Sequence, residues 1–176
     1  MTKEILRLGG ILCIITLIVT LMLSGVNLLT RDIIAQNTLR AENQARAEII
    51  PADSFEDLGN GIFAAKKGDE ITGYCVSVEP SGFGGTIGMI VGINVDKTVA
   101  GIRIISHSET AGLGAKAAEP AFTNGFAGGQ LPLSVTKSVP ENNSQIAAIS
   151  GATITSNAVV HGVNSALEIL EEKGVI

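Results

Sequence analysis

The segment that decides how the C-terminal part of this chain folds reads S-G-A-T-I-T-S-N, at Ser150–Asn157. Beyond it, apolar residues recur at helical spacing with charged residues on the opposite side, which predicts an amphipathic helix. Thr155 or Ser156 is the candidate N-cap of that helix. A helix start offers free N–H groups and a positive dipole end, and the small residues before Thr153 allow a ligand to approach the backbone. The pattern is therefore compatible with a phosphate site beside Thr153, although small-residue turns before helices are common.

A second decisive feature is the uncharged, almost wholly apolar run from Leu8 to Leu29. At about twenty residues, it is long enough to span the hydrocarbon core of a bilayer. We predict an uncleaved membrane anchor, with a cleaved signal peptide and a buried core helix as the alternatives. No small-x-small cleavage site follows the run, and its few polar residues form no stripe beyond Thr16 and Thr20. Those two hydroxyls are tolerated in a membrane helix because they can bond back to the chain.

Basic residues flank both ends of this run, so the charge count does not decide its orientation. The short N-terminus is basic, with Lys3 and Arg7. This favours a cytoplasmic N-terminus, with the rest of the chain outside the cytoplasm.

Composition excludes several classes of function. The net charge of −5 and the lack of a basic cluster larger than Lys66-Lys67 argue against nucleic-acid binding. Cys13 lies in the apolar run and Cys75 outside it, so we expect no disulfide between them, and we expect Cys75 to be a small buried residue. The absence of C-x-x-C gives no support for an iron–sulfur, zinc or c-type haem site. His107 and His161 lack partners at metal-ligand spacing, so we predict no metal site.

The chain outside the anchor, roughly 140 residues, is enough for one domain with a buried core. We divide the sequence into an N-terminus and anchor at 1–30, a helical stalk or linker at 31–60 and a domain at 61–176. Strands are predicted at 62–66, 71–78, 87–95, 99–106 and 131–137, a polar loop at 139–144, and helices at 115–126 and 157–173. Short turns join most of these strands, so neighbouring strands should pair antiparallel. Strands followed by helices predict an α+β domain with a small antiparallel sheet and packed helices.

Three motifs, in order along the chain, resemble one known family. The S-G-A-T at Ser150–Thr153 resembles its flavinylation motif. Pro80–Asn94 resembles its Gly-rich strand–turn–strand, and His107–Gly114 resembles its H-x-E-T-P-G-L-G loop. The chain is thus similar to the family that comprises the G-type component of the Rnf electron transport complex and the C-type component of the sodium-pumping NADH:quinone reductase. The short chain favours the Rnf-type component.

The resemblance implies that Thr153 carries FMN through a phosphoester bond, within a cofactor site drawn from two motifs. The implied site residues are Thr153, Ser150, Gly151, Ala152, Thr155, Glu109, Thr110, Gly112, Leu113 and Gly114. In the second motif, Leu113 can cover a face of the ring and Thr110 can bond a ring atom. Glu109 would orient the loop or accept a hydrogen bond from the ribityl chain. From the residues alone, a solvated Glu109 and glycines that only form turns are the simpler interpretation.

Two positions depart from the family pattern. Ala147 stands where the family usually carries an Asp, three residues before the Ser of S-G-A-T, and that Asp is expected to assist the flavin transferase. Ala111 replaces the Pro of the E-T-P-G-L-G loop, which loosens one turn without abolishing it.

The resemblance implies a membrane-anchored electron carrier in an ion-translocating ferredoxin/NAD oxidoreductase complex, in which covalent FMN supplies the redox chemistry. The implied partners are the other membrane subunits of the complex and a flavin transferase for maturation, and the implied location is the cell (inner or plasma) membrane. Two alternatives remain open. One is a structural or assembly subunit without flavin, motivated by Ala147. The other is an extracytoplasmic module that binds a nucleotide reversibly.

Overall fold

The computed structural model describes residues 2–176. Within them, the α-helices are α1 (Thr2–Ile49), α2 (Pro120–Thr123) and α3 (Thr153–Glu172), with 3-10 turns at Gly114–Ala118 and Asn124–Phe126. The strands are β1 (Ser54–Gly59), β2 (Ile62–Lys67), β3 (Glu70–Val78), β4 (Gly88–Asn94), β5 (Val99–Ser106), β6 (Ser134–Thr136) and β7 (Gln145–Ala147). Strands β1 to β5 form an antiparallel sheet in chain order, while β6 and β7 form a short parallel pair. The predicted α+β class and the antiparallel pairing are confirmed.

The chain divides into two compact units, Met1–Arg40 and Ala41–Ile176. The described part of the first unit is helical, and its apolar side chains are exposed. It contains a window with a mean hydropathy of 2.4, long and apolar enough to cross a membrane. The hydroxyls of Thr16 and Thr20 donate to the carbonyls of Cys13 and Thr16, as expected for polar residues in such a helix. A core helix would hide its apolar side chains, so their exposure favours a membrane-spanning segment.

In the second unit, α3 covers one face of the five-stranded sheet. Its residues Val159, Val163 and Leu170 recur at helical spacing and are fully buried in the main core. Val76 of β3 and Val91 of β4 belong to the same core. Because alternate residues of a strand point to opposite faces, each central strand supplies side chains to this core and to a second one. The predicted apolar face of the C-terminal helix is thus the face that packs on the sheet.

The opposite face of the sheet is covered by the end of α1 and the residue that follows it. Ile49 and Ile50 pack here over glycines of the central strands. A Cβ at Gly92 would run into Ile49 Cγ2, and a Cβ at Gly73 would lie 3.0 Å from Ile50 Cδ1. The close approach of this segment therefore depends on strand residues that lack a side chain.

Arg46 anchors the same segment on the sheet. Its side chain is 4% exposed, and its guanidinium carbon lies 3.7 Å from the centroid of the Phe63 ring. The guanidinium also donates to Asn43 Oδ1 and Glu42 Oε2, at 2.8 and 2.9 Å, which compensates part of the cost of burying its charge. Cys75 is fully buried in this second core, as predicted. Burial raises the pKa of its thiol to about 12, and the charge of Arg46 offsets this only in part.

The sequence interpretation is wrong about two strands. Residues 54–59 fall in the predicted stalk or linker, yet they form β1 at the edge of the sheet. The turn Gly59-Asn60-Gly61, with positive φ at all three residues, closes a hairpin to β2, and its Asn-Gly pair is the signal that could have revealed β1. Strand β7 is also missed, and the strand predicted at 131–137 shortens to the three residues of β6. Strands of three residues, such as β6 and β7, are too short for an alternation of apolar and polar residues to be recognised in the sequence.

The helix predictions need two corrections. The segment 115–126 is not one helix, because Pro120 starts the short helix α2 between two separate 3-10 turns. Helix α3 begins at Thr153, four residues before the predicted start, and its N-cap is Ala152. Thr155 and Ser156 therefore lie in the first turn of α3, and the prediction that one of them is the N-cap is wrong.

We expect Gly92→Ala to lower the free energy of unfolding of the second unit by about 1–3 kcal/mol, because the new methyl group overpacks the contact with Ile49. Thermal unfolding of the full chain in detergent would measure this change. Gly125→Ala is the matched control, since a Cβ there meets nothing within 4 Å. Equal stability of the two variants would contradict the proposed role of Gly92.

Candidate functional site

Three segments of the second unit converge on one cleft of about 370 Å³. They are the Gly-rich loop before β4, the loop after β5 and the start of α3. The cleft is lined by Phe83, Glu109, Thr110, Leu113, Gly114, Gly151, Ala152, Thr153, Ile154 and Thr155. Its volume lies in the range of small-molecule and cofactor sites.

The start of α3 is open toward a ligand. Ala152 occupies the N-cap and offers no side-chain hydrogen bond to the first turn. Thr153 is the first helical residue and lines the cleft. The first N–H groups of a helix have no intrahelical partner, and here no side-chain cap satisfies them, so the helix presents donors and a positive dipole end at the cleft.

Ser156 fixes the turn that leads into this helix. Its hydroxyl accepts a hydrogen bond from the N–H of Ile149 and donates to the carbonyl of Ala152, both at 3.0 Å. The Ser156 side chain is fully buried. It therefore bonds backward to the turn instead of capping the helix, and it holds the backbone that carries Thr153.

Glu109 joins all three segments. One carboxylate oxygen accepts a hydrogen bond from the N–H of Gly84 at 2.9 Å, and the other accepts one from the hydroxyl of Thr155 at 2.6 Å. The side chain of Glu109 is only 8% exposed. Glu109 is therefore not a solvated carboxylate, and its hydrogen bonds tie the loop after β5 to the Gly-rich loop and to α3.

Two glycines make room for this carboxylate. A Cβ at Gly82 or at Gly114 would run into a carboxylate oxygen of Glu109, and a Cβ at Gly114 would also lie 2.7 Å from Thr155 Oγ1. Gly151 has a φ of +77° and brings the turn before α3 close to the side chain of Leu113. These glycines are needed for close packing between the three segments as well as for the turns themselves.

The pKa of Glu109 reflects two opposing effects. Burial raises it, while the hydrogen bonds from Thr155, Gly84 and Phe83, together with the nearby His107, lower it, and the net result is a pKa below the ordinary value. Hydrogen bonds to the ionised form therefore outweigh desolvation. The carboxylate is ionised at neutral pH.

The structure brings most of the sequence-predicted site residues together. Ser150 and Gly112 do not line the cleft, although Gly112, at a φ of +76°, shapes the neighbouring turn. Sequence reasoning did not assign two lining residues, Phe83 and Ile154, which are 69% and 57% exposed. A signal for Phe83 existed, because it is one of few aromatic residues and lies in the Gly-rich motif. Ile154 had a weaker signal as an apolar residue on the outer side of α3.

Models of two families match this chain. The model of the FMN-binding domain family matches residues 82–168, and the model of the RnfG N-terminal region matches residues 1–49. The G-type component of the Na⁺-translocating ferredoxin:NAD⁺ oxidoreductase complex of Acetobacterium woodii is 31% identical over 96% of this chain and 93% of its own length. The chain belongs to the RnfG family. It is therefore related to components of ion-translocating oxidoreductase complexes.

One further relative supports the same assignment, and one solved structure shares the fold. The G-type component of the proton-translocating ferredoxin:NAD⁺ oxidoreductase complex of Clostridium ljungdahlii is 34% identical over 84% of this RnfG-family chain and 82% of its own length. Among solved structures, the C-type component of the Na⁺-translocating NADH-quinone reductase of Parabacteroides distasonis superposes with a TM-score of 0.55 at 26% identity. That match covers 62% of this chain and 60% of the other. The related fold thus extends to the quinone-reductase component.

We expect Glu109→Gln to lower the free energy of unfolding at neutral pH by about 1–3 kcal/mol, because it weakens two hydrogen bonds to a buried charge. The folded-state pKa of Glu109 lies below its ordinary value of 4.5, so the unfolded state binds more protons between those two pH values. The stabilisation is then complete above pH 4.5 and is lost as the pH falls through the folded-state pKa.

Denaturant unfolding of wild type and Glu109→Gln between pH 7 and pH 3 would measure how the difference in stability depends on pH. Glu168→Gln, at an exposed position on α3, is the control for loss of one carboxylate. A difference between wild type and Glu109→Gln that stays constant over the whole range would contradict the role given to the ionised carboxylate.

Proposed function

We propose that this chain is a membrane-anchored electron carrier whose FMN is attached through a phosphoester to Thr153. The observation that carries the proposal is that Thr153 lines the cleft and is the first residue of α3, a twenty-residue helix without a side-chain cap. The family assignment gives the cofactor class, since the matched domain is an FMN-binding domain.

The start of α3 suits the phosphate end of FMN. A phosphodiester on Thr153 Oγ would lie beside the free N–H groups of the first helical turn, and the helix dipole would favour its negative charge. Attachment from FAD would form the bond between Thr153 Oγ and the FMN phosphorus and break the bond to AMP, while the hydroxyl proton leaves. Ser156 holds the turn that precedes Thr153, and Thr153 lines the cleft.

The walls of the cleft suit the ring end of FMN. Phe83, Leu113 and Ile154 present apolar side chains, each at least 45% exposed, to a site with few polar groups. Burial of such surface against a flat ring is favourable. Thr110 supplies a hydroxyl on the same wall. Glu109 uses both carboxylate oxygens within the protein, so we assign it to positioning the walls instead of to binding the ribityl chain.

Bound flavin would supply the electron transfer chemistry, and the protein would supply attachment, position and electrostatics. The cleft is open at the surface and the apolar side chains around it are exposed, so a flavin held there without a covalent bond would dissociate readily. A covalent bond to Thr153 prevents this loss and leaves the ring accessible to partners.

We further propose that the chain works within a complex that couples electron transfer between ferredoxin and NAD⁺ to ion movement. The names of two relatives support this, although one is described as Na⁺-translocating and the other as proton-translocating. The partners would be the other membrane subunits of the complex and a flavin transferase for maturation.

The proposed roles are assigned to three consecutive parts of the chain. Residues 1–30 would form the cytoplasmic N-terminus and the membrane anchor, 31–60 the connection and 61–176 the FMN-binding domain. In packing terms, residues 41–60 belong with the domain, because they lie in the second compact unit. The short basic N-terminus favours a cytoplasmic location for it, which would put the flavin domain outside the cytoplasm.

Thr153→Ala should abolish covalent flavin, because it removes the oxygen that forms the ester, while Thr153→Ser should retain it. In-gel fluorescence under denaturing conditions and the intact mass, with a gain of FMN less one water, would measure attachment in cells that contain an active flavin transferase. Thr110→Ala is the control for loss of a hydroxyl in the same cleft.

Unchanged fluorescence in Thr153→Ala would refute the attachment residue. A wild-type protein without flavin in the same cells would favour an assembly subunit, the alternative suggested by Ala147, which is exposed at the end of β7. Flavin that is present but lost on denaturation would favour reversible nucleotide binding.

A fusion of alkaline phosphatase after Ile176 should be active, and a fusion of green fluorescent protein at the same place should be dark, because the domain is expected outside the cytoplasm. The two fusions act as controls for each other in the same host. A fluorescent fusion with inactive phosphatase would reverse the proposed orientation.

A further inference from the structure

One charged side chain lines the cleft. Of the ten cleft-lining residues, all within the described range 2–176, only Glu109 has a charged side chain. None of the ion pairs found among residues 2–176 involves Glu109. The wall of the cleft thus carries a negative charge that no side chain of opposite charge neutralises by direct contact.

This charge is held in place. Its two oxygens accept hydrogen bonds from Gly84 and Thr155, and the side chain is almost completely buried. Gly82 lies close to one of its oxygens and Gly114 lies close to the other. If this carboxylate turned into water, both hydrogen bonds would break.

We propose that the Glu109 carboxylate lowers the reduction potential of the flavin held in this cleft. Reduction adds negative charge to a flavin ring, and a fixed negative charge nearby makes that addition less favourable. The effect is strongest where protein displaces water, since the effective dielectric constant is lower there. The inference rests on the proposed function, because it requires flavin at Thr153. It assigns to Glu109 a role in setting the potential, in addition to joining the three segments.

The test compares the midpoint potential of the flavin in full-length, flavinylated wild type and Glu109→Gln by spectroelectrochemical titration. Glutamine keeps the shape of the side chain. Its carbonyl can accept from Gly84 N–H, and its amide can donate to the Thr155 hydroxyl oxygen, so both contacts persist as weaker, neutral hydrogen bonds while the charge is removed. We expect the potential to rise, with the equilibrium constant for one-electron reduction increasing on the order of tenfold, or about 59 mV.

Two further variants separate charge from structure. Glu168→Gln removes one carboxylate charge from α3, roughly 22 Å along the helix axis from Thr153. The flavin potential of this variant should equal that of wild type. Thr155→Val removes a hydrogen bond but keeps the carboxylate, so its potential should stay closer to wild type than that of Glu109→Gln. If Glu109→Gln carries too little flavin to be titrated, Glu109→Asp and Glu109→Asn are compared instead. These two side chains are equally long, both shorter than glutamate, and differ in charge.

The outcomes distinguish this inference from the proposed function. Wild type without flavin on Thr153 would refute the proposed function itself. Flavinylated wild type and Glu109→Gln with equal potentials would overturn only the role given to the charge. An equal shift in Glu168→Gln would also overturn it, since the effect would then not depend on the position of the charge.

Discussion

The arrangement of the cleft depends on the hydrogen bonds of one buried carboxylate. Glu109 follows β5, Gly84 belongs to the loop before β4, and Thr155 lies in the first turn of α3. These segments are far apart in sequence, and burial of a charge is tolerated only because each oxygen finds a donor. The same side chain thus explains why glycine is required at the two positions that flank it, Gly82 and Gly114.

The packing of the sheet and helices in the second unit holds the segments that form the cleft. The sheet has an apolar layer on each face, with α3 on one and the end of α1 on the other. Because α3 is fixed along its length by Val159, Val163 and Leu170, its first turn has a defined position above the sheet. The core therefore fixes the helix that begins at Thr153, while the two loops complete the lining of the cleft.

Much of this could be predicted from the sequence. The apolar run, the α+β class and the antiparallel strands followed from periodicity and turn residues, and most of the cleft residues were implied by the family resemblance of three motifs. Local patterns failed where a long-range contact decides the outcome. The hydroxyls of Thr155 and Ser156 look like caps in a local pattern, yet Thr155 donates to Glu109 and Ser156 bonds back to Ile149 and Ala152. Likewise, β1 has an exposed, charged sequence, and it forms a strand because a hairpin places it beside β2.

The end of α1 has a practical consequence for protein production. A soluble fragment that starts at the first strand would lack Arg46, Ile49 and Ile50, and the layer around Cys75 would face water. Large exposed apolar patches promote self-association, so such a fragment is a poor choice for crystallisation. A fragment that starts at Ala41 discards the most apolar part of the helix and retains the lining of that face.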